Sequence, residues 1–351
     1  MDYARILRRL LLFAALFAGA LYAFILVLDP YQNVPFSPDL PRAPIATNQR
    51  FSYPAVARDP RFEGLIMGTS TSRLLDPARL GELTGARFAN LAMNSATAYE
   101  QRRIHELFVR HHADMRFLVL GVDEVWCTRK TDPERYTFRA FPEWMYDENP
   151  WNDLGYLFND KALEDAVRML ELLVGAREPK YRRDGYRDFT ADFPAWDAAA
   201  VAHRLYRGRP RGIPTSPVRA SREHPRWRYP LLDDLAELLA ATPSGADVVL
   251  FFPPLHATYI ERRAGTFAEC KGRVLDLVAA RSRAQVLDYL YVSALTSNDD
   301  NYWDPVHFTR AVSTLIEADM GRALQGLAPA SDEVRRHPPA FDSGVTRRPP
   351  D

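Results

Sequence analysis

An aspartate and a histidine stand three residues apart near the end of the chain, in the stretch NYWDPVHF at residues 301–308. A carboxylate can orient an imidazole ring, and the oriented ring can take a proton from a nucleophile elsewhere in the protein. The other interpretation is a helix start, with Asp304 as the capping residue and His307 in the first turn. The pair predicts a catalytic base only if the rest of the sequence supplies a nucleophile.

A candidate nucleophile ends the first apolar run after the N-terminal region, GLIMGTS at residues 64–70. Gly68 permits a tight turn, and Ser70 stands where the predicted strand gives way to a helix. Its hydroxyl can therefore be exposed near the positive end of that helix, although a capping serine is common at such a position. Three neighbouring hydroxyl side chains compete for the role: Thr69, Thr71 and Ser72. With Ser70 as nucleophile, His307 would be its base and Asp304 would hold the ring.

The elements that must position these residues alternate along the chain. Short apolar runs predict five strands, at residues 64–70, 87–93, 115–123, 246–254 and 284–290. Helical spacing predicts helices at residues 74–85, 98–112, 162–175, 231–241 and 270–282, and a last helix that begins near Pro305. Repeated strand–helix units predict an α/β fold, specifically a three-layer α/β/α sandwich with a mostly parallel, flavodoxin-like sheet. Functional residues of such sheets lie at the carboxyl ends of the strands, where Ser70 stands.

Composition shifts divide the chain into four segments: residues 1–29, a cytoplasmic stub and membrane anchor; residues 30–60, a proline-rich connector; residues 61–328, the α/β domain; and residues 329–351, a disordered tail. Residues 128–228 are rich in Arg, Pro, Trp and Tyr and interrupt the α/β pattern. We interpret them as an insertion over the sheet, which either contacts the substrate or serves as a structural cover.

The N-terminus carries an uncharged run of 19 residues, LLLFAALFAGALYAFILVL at residues 10–28. As a helix it would be about 28 Å long, close to the ~30 Å hydrocarbon core of a bilayer. Arg5, Arg8 and Arg9 precede the run and favour a cytoplasmic N-terminus, with the remainder of the chain outside. A cleaved signal peptide is the alternative, but the run is longer than usual and ends without a small-x-small cleavage site.

Charge and cysteine content set further limits on the function. Lys plus Arg and Asp plus Glu each number 45, so the formal net charge is zero and nucleic-acid binding is not expected. The sequence has no His/Cys/carboxylate cluster with metal-ligand spacing and no glycine-rich phosphate loop, so we expect no metal and no cofactor. The chain has 2 cysteines, Cys127 and Cys270, which we expect to remain unpaired.

Four short blocks resemble those of the SGNH, or GDSL-type, hydrolases: Gly68-Thr69-Ser70, NLAMNSA at residues 90–96, LVLGVDE at residues 118–124, and Asp304-Pro305-Val306-His307. The resemblance spans roughly residues 60–327 without the insertion. It implies a serine esterase or acyltransferase with Ser70, His307 and Asp304 as its triad. The apolar run followed by Asp29-Pro30-Tyr31 is similar to membrane-anchored, extracytoplasmic members that serve cell-envelope O-acylation.

The chain departs from the family pattern in the residues that would stabilise an oxyanion. Thr69 replaces the usual aspartate of the first block, and Ser95 stands where the second block has a glycine whose amide serves the oxyanion hole. The third block has Asp123 in place of an asparagine, and an ionised carboxylate cannot donate a hydrogen bond. The remaining candidate donors are the backbone amides of Ser70 and Ser95 and the side chain of Asn94.

Three further side chains are candidates for the cleft. His256 follows a predicted strand in PPLHA, Asp123 follows another, and Trp303 adjoins the Asp/His pair. A histidine satisfied within a loop is the simpler interpretation of His256. Aromatic residues such as Trp303 and Trp126 can form the floor of a sugar site but are more commonly buried.

The sequence therefore predicts a membrane-anchored SGNH-like esterase or O-acyltransferase. It would act on O-acyl groups of an envelope glycan or lipid through a serine acyl-enzyme, with hydrolysis and transfer both open. Its expected location is the cell inner membrane, with the catalytic domain in the periplasm. A membrane-bound O-acyltransferase is a candidate partner. The alternatives are a catalytically weak or inactive module that binds glycan or scaffolds such an acyltransferase, and a purely structural anchored protein.

Overall fold

The computed structural model describes residues 2–208 and 218–337. These residues fall into two compact units. We call Met1–Asp59 with Arg139–Arg187 the anchor unit, and Pro60–Phe138 with Asp188–Asp351 the sheet unit. The predicted insertion at residues 128–228 is thus divided between the two units.

The described residues form helices of very different lengths, which in chain order are α1 (Tyr3–Leu28), α2 (Gln49–Ala57), α3 (Pro77–Thr84), α4 (Ala98–His111), α5 (Pro150–Asp153), α6 (Asp160–Leu173), α7 (Ala198–Tyr206), α8 (Leu231–Ala241), α9 (Ala257–Arg262), α10 (Ala264–Ala279), α11 (Ala294–Ser297) and α12 (Arg310–Leu324). The strands are β1 (Gly64–Met67), β2 (Phe88–Asn90), β3 (Phe117–Gly121), β4 (Asp247–Phe252), β5 (Ala284–Asp288) and β6 (Arg335–His337).

The six strands of the described residues form one sheet in the order β2-β1-β3-β4-β5-β6. The first five strands of that order are parallel, and β6 pairs antiparallel with β5 at the edge. Every residue of β1, β2, β3 and β5 is buried, which explains why β1 and β3 are continuous apolar runs rather than alternating ones. The predicted α/β class with a mostly parallel sheet is confirmed.

Helix packing in the sheet unit brings distant parts of the chain together. α3 packs against α12, and α4 packs against α8, which also contacts α10. Capping residues in the local sequence fix where these helices begin. Asp76 caps α3 ahead of Pro77, and Thr97 and Glu100 form a capping box at the start of α4. The contact between α3 and α12 brings the loop after β1 close to the loop before α12.

Three sequence expectations differ from the structure. The last helix begins at Arg310, after the predicted start near Pro305, because residues 302–308 form their own turn. The predicted connector, residues 30–60, contains α2 even though Pro54 lies inside that helix. Residues 329–337 of the predicted disordered tail are described, and β6 forms there. Its sequence Arg-Arg-His has no apolar alternation that could have predicted a strand. The rest of the tail lies outside the described residues.

α1 stands apart from the other helices in its composition. Of the described residues, this is the one helix that is long and apolar enough to cross a membrane. Most of its length is exposed, and its buried residues, Ile25 and Leu28, lie near its C-terminal end. An apolar helix that is mostly exposed is not the core helix of a soluble domain. It is consistent with a membrane anchor or a signal sequence.

Candidate active site

Ser70 follows β1 at the carboxyl edge of the sheet, in the turn that leads to α3. Gly68 has a φ of 140°, and a Cβ at this position would strike the side chain of Ser72, so only glycine fits the turn. Ser70 is half-buried, whereas the competing hydroxyl residues are buried, with exposed fractions of 6% for Thr69, 1% for Thr71 and 0% for Ser72. Ser70 is therefore the most accessible hydroxyl of the four.

The structure joins the three predicted catalytic side chains into one hydrogen-bonded chain. The Nε2 atom of His307 lies 2.9 Å from the Ser70 Oγ, and the Nδ1 atom lies 2.7 Å from Oδ2 of Asp304. With Nδ1–H donating to the carboxylate, Nε2 is the acceptor for the serine hydroxyl proton. This is the arrangement of a nucleophile, a general base and a residue that orients the base.

The loop around Asp304 fixes the orientation of the imidazole ring. Oδ1 of Asp304 accepts the backbone N–H groups of Val306 at 2.8 Å and His307 at 2.9 Å. One isolated antiparallel bridge, between Tyr302 and Phe308, closes the loop. Asp304 consequently caps a tight turn rather than a helix, and the helix-start interpretation of this stretch is wrong.

The carboxyl of Asp304 is held in its ionised form. Burial acts to raise its pKa, but the hydrogen bond and charge of His307 and the two backbone N–H donors together outweigh burial. The net result is a pKa below the ordinary aspartate value. An ionised Asp304 is the form that keeps the histidine tautomer correct and stabilises the imidazolium when it forms.

The candidate oxyanion donors lie on the neighbouring loops. Among the described residues, neither the N–H of Ser70 nor that of Ser95 has a hydrogen-bond partner. Ser95 has a φ of 53°, in the left-handed region that favours glycine. The oxygen of the Asn94 amide accepts from Arg73 at 2.6 Å, which orients the amide. Strained backbone next to a nucleophile is typical of functional sites.

Asp123 lies at the carboxyl end of β3, directly beside the turn that carries Ser70. Its carboxylate accepts the hydroxyl of Thr69 and, at 3.0 Å, the N–H of Val125. Burial raises the pKa of Asp123 to about 6, against the lowering effect of these two hydrogen bonds. Its bond to Thr69 places this carboxyl, with its raised pKa, against the residue that precedes Ser70.

Aromatic side chains from the predicted insertion surround the base. The rings of Phe189 and Phe193 stand edge-on to the His307 imidazole, with centroids 5.6 and 6.3 Å away. The guanidinium of Arg73 lies 4.7 Å from the centre of the Phe189 ring. These residues were not predicted from the sequence, although the cluster DFTADFPAW at residues 188–196 carries an aromatic pattern that could have pointed to them.

The other cleft candidates are held in place by structural contacts. His256 is 1% exposed, with Nδ1 2.9 Å from the Thr258 hydroxyl and Nε2 3.3 Å from Asp299. Burial lowers the pKa of His256 against the attraction of Asp299. Its backbone N–H donates to the carbonyl of Pro305 at 3.0 Å, so His256 supports the Asp304 loop from behind. The histidine-in-a-loop interpretation fits this geometry.

The two tryptophan candidates have different surroundings. Trp303 is half-buried, and its ring packs edge-on against Phe193 at 5.4 Å. Its indole N–H is buried without a partner among the described residues. Trp126 is fully buried and donates to Gln101 at 3.2 Å, which places it in the core rather than at the floor of a sugar site.

A cavity of about 660 Å³ is lined by one of the candidate oxyanion residues, Ser95, but not by Ser70, Asp304 or His307. Ser95 and Glu124, on the loops after β2 and β3, both line it. Its lining is charged as well as apolar: Arg263 pairs with Glu124 at 2.8 Å, and Arg129 adds a further cation.

A larger cavity, of about 1010 Å³, lies at the opposite edge of the sheet. It is lined by residues that precede β3 and β4, including Asp114 and Gly245, and by none of the candidate site residues. Ligands of parallel sheets bind at the carboxyl ends of the strands, so the smaller cavity, which Ser95 lines, is the better candidate despite its size.

No protein-family model matches the chain, and no curated protein matches it. The chemistry of this site therefore has to be argued from its own geometry. Among the described side chains, no group of three or more His, Cys, Asp or Glu residues could hold a metal ion.

Cys127 and Cys270 form a disulfide, so the expectation that they remain unpaired is wrong. Their Cα atoms are 5.5 Å apart, within the range for a bond, although 143 residues separate them in sequence. Packing of α10 beside the β3 loop creates this proximity, and nothing local in the sequence reports it. The disulfide ties the loop that carries Asp123 and Glu124 to α10.

Proposed function

We propose that this protein is a membrane-anchored serine esterase or O-acyltransferase of SGNH type. The observation that carries the proposal is the hydrogen-bonded chain Asp304–His307–Ser70 at the carboxyl edge of a parallel sheet. The order of the four blocks, with the serine first and Asp-x-x-His last, supports the family. Helices α3 and α12 form one packed group and α4, α8 and α10 another, which supports a three-layer sandwich.

The proposed reaction begins with attack by Ser70. His307 takes the hydroxyl proton at Nε2 while Oγ attacks the acyl carbonyl carbon, and the carbonyl oxygen becomes an oxyanion. Collapse of this intermediate breaks the ester bond, and His307 returns the proton to the departing alkoxide. The acyl-enzyme then reacts with water in hydrolysis or with another hydroxyl in transfer, again through His307.

The oxyanion would be bound by the backbone N–H groups of Ser70 and Ser95. An ionised Asp123 next to them opposes negative charge on the substrate, whereas the neutral acid does not. This observation favours the alternative function, a catalytically weak module that binds glycan or scaffolds a membrane-bound acyltransferase. The two functions differ in whether Ser70 turns over an ester.

Several features support a site outside the cytoplasm. α1 is the candidate anchor, and the arginines before it favour a cytoplasmic N-terminus. The Cys127–Cys270 disulfide fits an oxidising compartment. We therefore propose a single-pass protein of the inner membrane with its sheet unit in the periplasm, acting on O-acyl groups of an envelope glycan or lipid.

The test uses the purified full-length chain in detergent with p-nitrophenyl acetate as substrate. We expect release of p-nitrophenolate by the wild type and its loss in Ser70→Ala, while Ser244→Ala, an exposed serine at the opposite sheet edge, keeps the wild-type rate. Acetylation of an added sugar alcohol would identify transfer. Equal rates in all three proteins would contradict the esterase proposal and favour the binding module.

A further inference from the structure

The anchor unit exposes an unusual number of large apolar side chains. Besides α1, these are Phe36, Trp151, Tyr156 and Phe158, together with a stripe on α6 and its C-cap formed by the exposed Val167, Leu170 and Val174 and the half-buried Leu163. We call these eight residues the apolar patch. Exposed fractions reach 62% for Trp151 and 68% for Val174. An exposed patch of this kind marks an interaction surface rather than a feature of a free monomer.

α6 is built with two apolar faces. Its buried residues include Ala162, Ala166 and Met169, which pack within the anchor unit. The residues of the stripe follow one another at spacings of four, three and four, which places them on a second face of the same helix. Since a helix in a soluble unit needs one apolar face only, the second face is available for an external surface.

The position of α1 identifies that surface. The Tyr22 hydroxyl donates to the carbonyl of Leu154 at 2.7 Å, and its ring packs edge-on against Phe158 at 5.5 Å. Tyr22 lies six residues before the end of α1, about 9 Å back along the helix. If α1 crosses a bilayer, Tyr22 lies inside its outer boundary, and the exposed ring of Phe158 lies at the same depth.

We propose that the apolar patch is embedded in the outer interface of the lipid bilayer, so that the α5–α6 region lies in the membrane beside the anchor. Trp151 and Phe36, whose rings pair at 5.9 Å, supply the aromatic side chains that favour this depth. The charges of α6 pair among themselves, with Lys161 2.9 Å from Glu164, which suits a helix at the headgroup level. The inference rests on the proposed placement of α1 across the bilayer, and it is independent of chemistry at Ser70.

The test measures the depth of spin labels in vesicles of phosphatidylcholine and phosphatidylglycerol. Nitroxides are attached to the full chain through Phe158→Cys, Val167→Cys, Glu164→Cys and Phe17→Cys, one at a time. The native cysteines are bonded to each other and do not compete. All four positions are exposed, so the substitutions leave the core intact.

We expect labels at positions 158 and 167 to be several-fold more accessible to oxygen than to a water-soluble nickel chelate, and the label at position 164 to show the reverse. The label at position 17 reports on α1 itself. If position 17 is in lipid while positions 158 and 167 are in water, the inference fails but the placement of α1 in the membrane is retained. If position 17 is in water, the anchor placement fails as well. Labels at 158 and 167 that are shielded from both reagents would show a second protein copy on the patch and would also overturn the inference.

Discussion

The Nε2 atom of His307 lies 2.9 Å from the hydroxyl oxygen of Ser70, although 237 residues separate the two along the chain. α12 makes this possible, because it packs against α3 and so holds the Asp304 loop beside the turn after β1. An ion pair between a half-exposed arginine and a buried glutamate fixes the contact. Arg310 pairs with Glu317 and also donates to the carbonyl of Leu74, at 3.0 Å.

The triad should behave as a single unit. We expect Ser70→Ala and His307→Ala each to lower kcat/KM for an ester by about 10⁴-fold or more, and the double variant to lose little beyond either single one. Asp304→Asn should cost less than loss of the serine, since the nucleophile and base remain. Ester hydrolysis measures all four variants. If the activity lost in the double variant equals the product of the two single losses, Ser70 and His307 act separately.

The ion pair between Arg310 and Glu317 should support both stability and catalysis. Glu317 is fully buried, and its removal leaves the guanidinium without its main partner. We expect Glu317→Ala to lower the free energy of unfolding by about 2 kcal/mol and to lower kcat more than it changes KM. Glu82→Ala, which breaks an exposed pair with Arg79, is the control and should change stability by less than about 1 kcal/mol. Equal losses of unfolding free energy for Glu317→Ala and Glu82→Ala in urea denaturation would refute this role.

Asp123 should impose a pH dependence on activity. Its raised pKa, about 6, means that it ionises as the pH rises toward neutrality, and the anion then opposes the developing oxyanion. We expect Asp123→Asn to raise kcat/KM by about tenfold or more at pH 8, with a smaller gain at pH 5 where the wild-type carboxyl is neutral. Asp233→Asn, at an exposed carboxylate of α8, is the control. A fall in activity for Asp123→Asn at both pH values would contradict this role.

The stability of the folded protein should also depend on whether Asp123 is protonated. The folded protein binds the Asp123 proton more tightly than the unfolded chain does, so protonation of Asp123 stabilises the fold. This stabilisation is fully present when the pH is below 3.8, the ordinary pKa of an aspartate. It is lost as the pH rises through about 6. The asparagine variant should lack this part of the pH profile in thermal unfolding.

The disulfide should contribute substantially to stability, because it closes a loop of more than a hundred residues. We expect reduction of the wild type to lower the free energy of unfolding by about 3–5 kcal/mol. Cys127→Ser with Cys270→Ser together should show the same loss and no response to reductant. Urea denaturation with and without dithiothreitol measures both. A wild type that is indifferent to dithiothreitol would contradict the prediction.

The core strands and the triad could be predicted from the sequence because their signals are local. Apolar runs such as residues 117–121 can only be buried strands, and the rule that functional residues follow parallel strands singles out Ser70. The spacing of Asp304 and His307 has a direct physical reason, since the carboxylate binds both the ring and the turn that carries it. In these places sequence pattern and tertiary structure agree.

The remaining features depend on contacts that no local pattern reports. Phe189 and Phe193 reach His307 from a segment without helical or strand periodicity. The Cys127–Cys270 bond depends on how α10 packs beside the loop after β3. Ser95 has a left-handed backbone, with a φ of 53°. Glycine is the usual residue in such a conformation, so a serine at this position gives no sequence signal of the strained turn.

The central claim is that Ser70 is a nucleophile activated by His307. Its most direct test is labelling of the full-length protein with a fluorophosphonate probe, followed by mass spectrometry of the labelled peptide. The account predicts one modified residue, Ser70, with no labelling in Ser70→Ala and much slower labelling in His307→Ala. Absence of label from folded wild-type protein, or label on another serine at an unchanged rate in both variants, would contradict it.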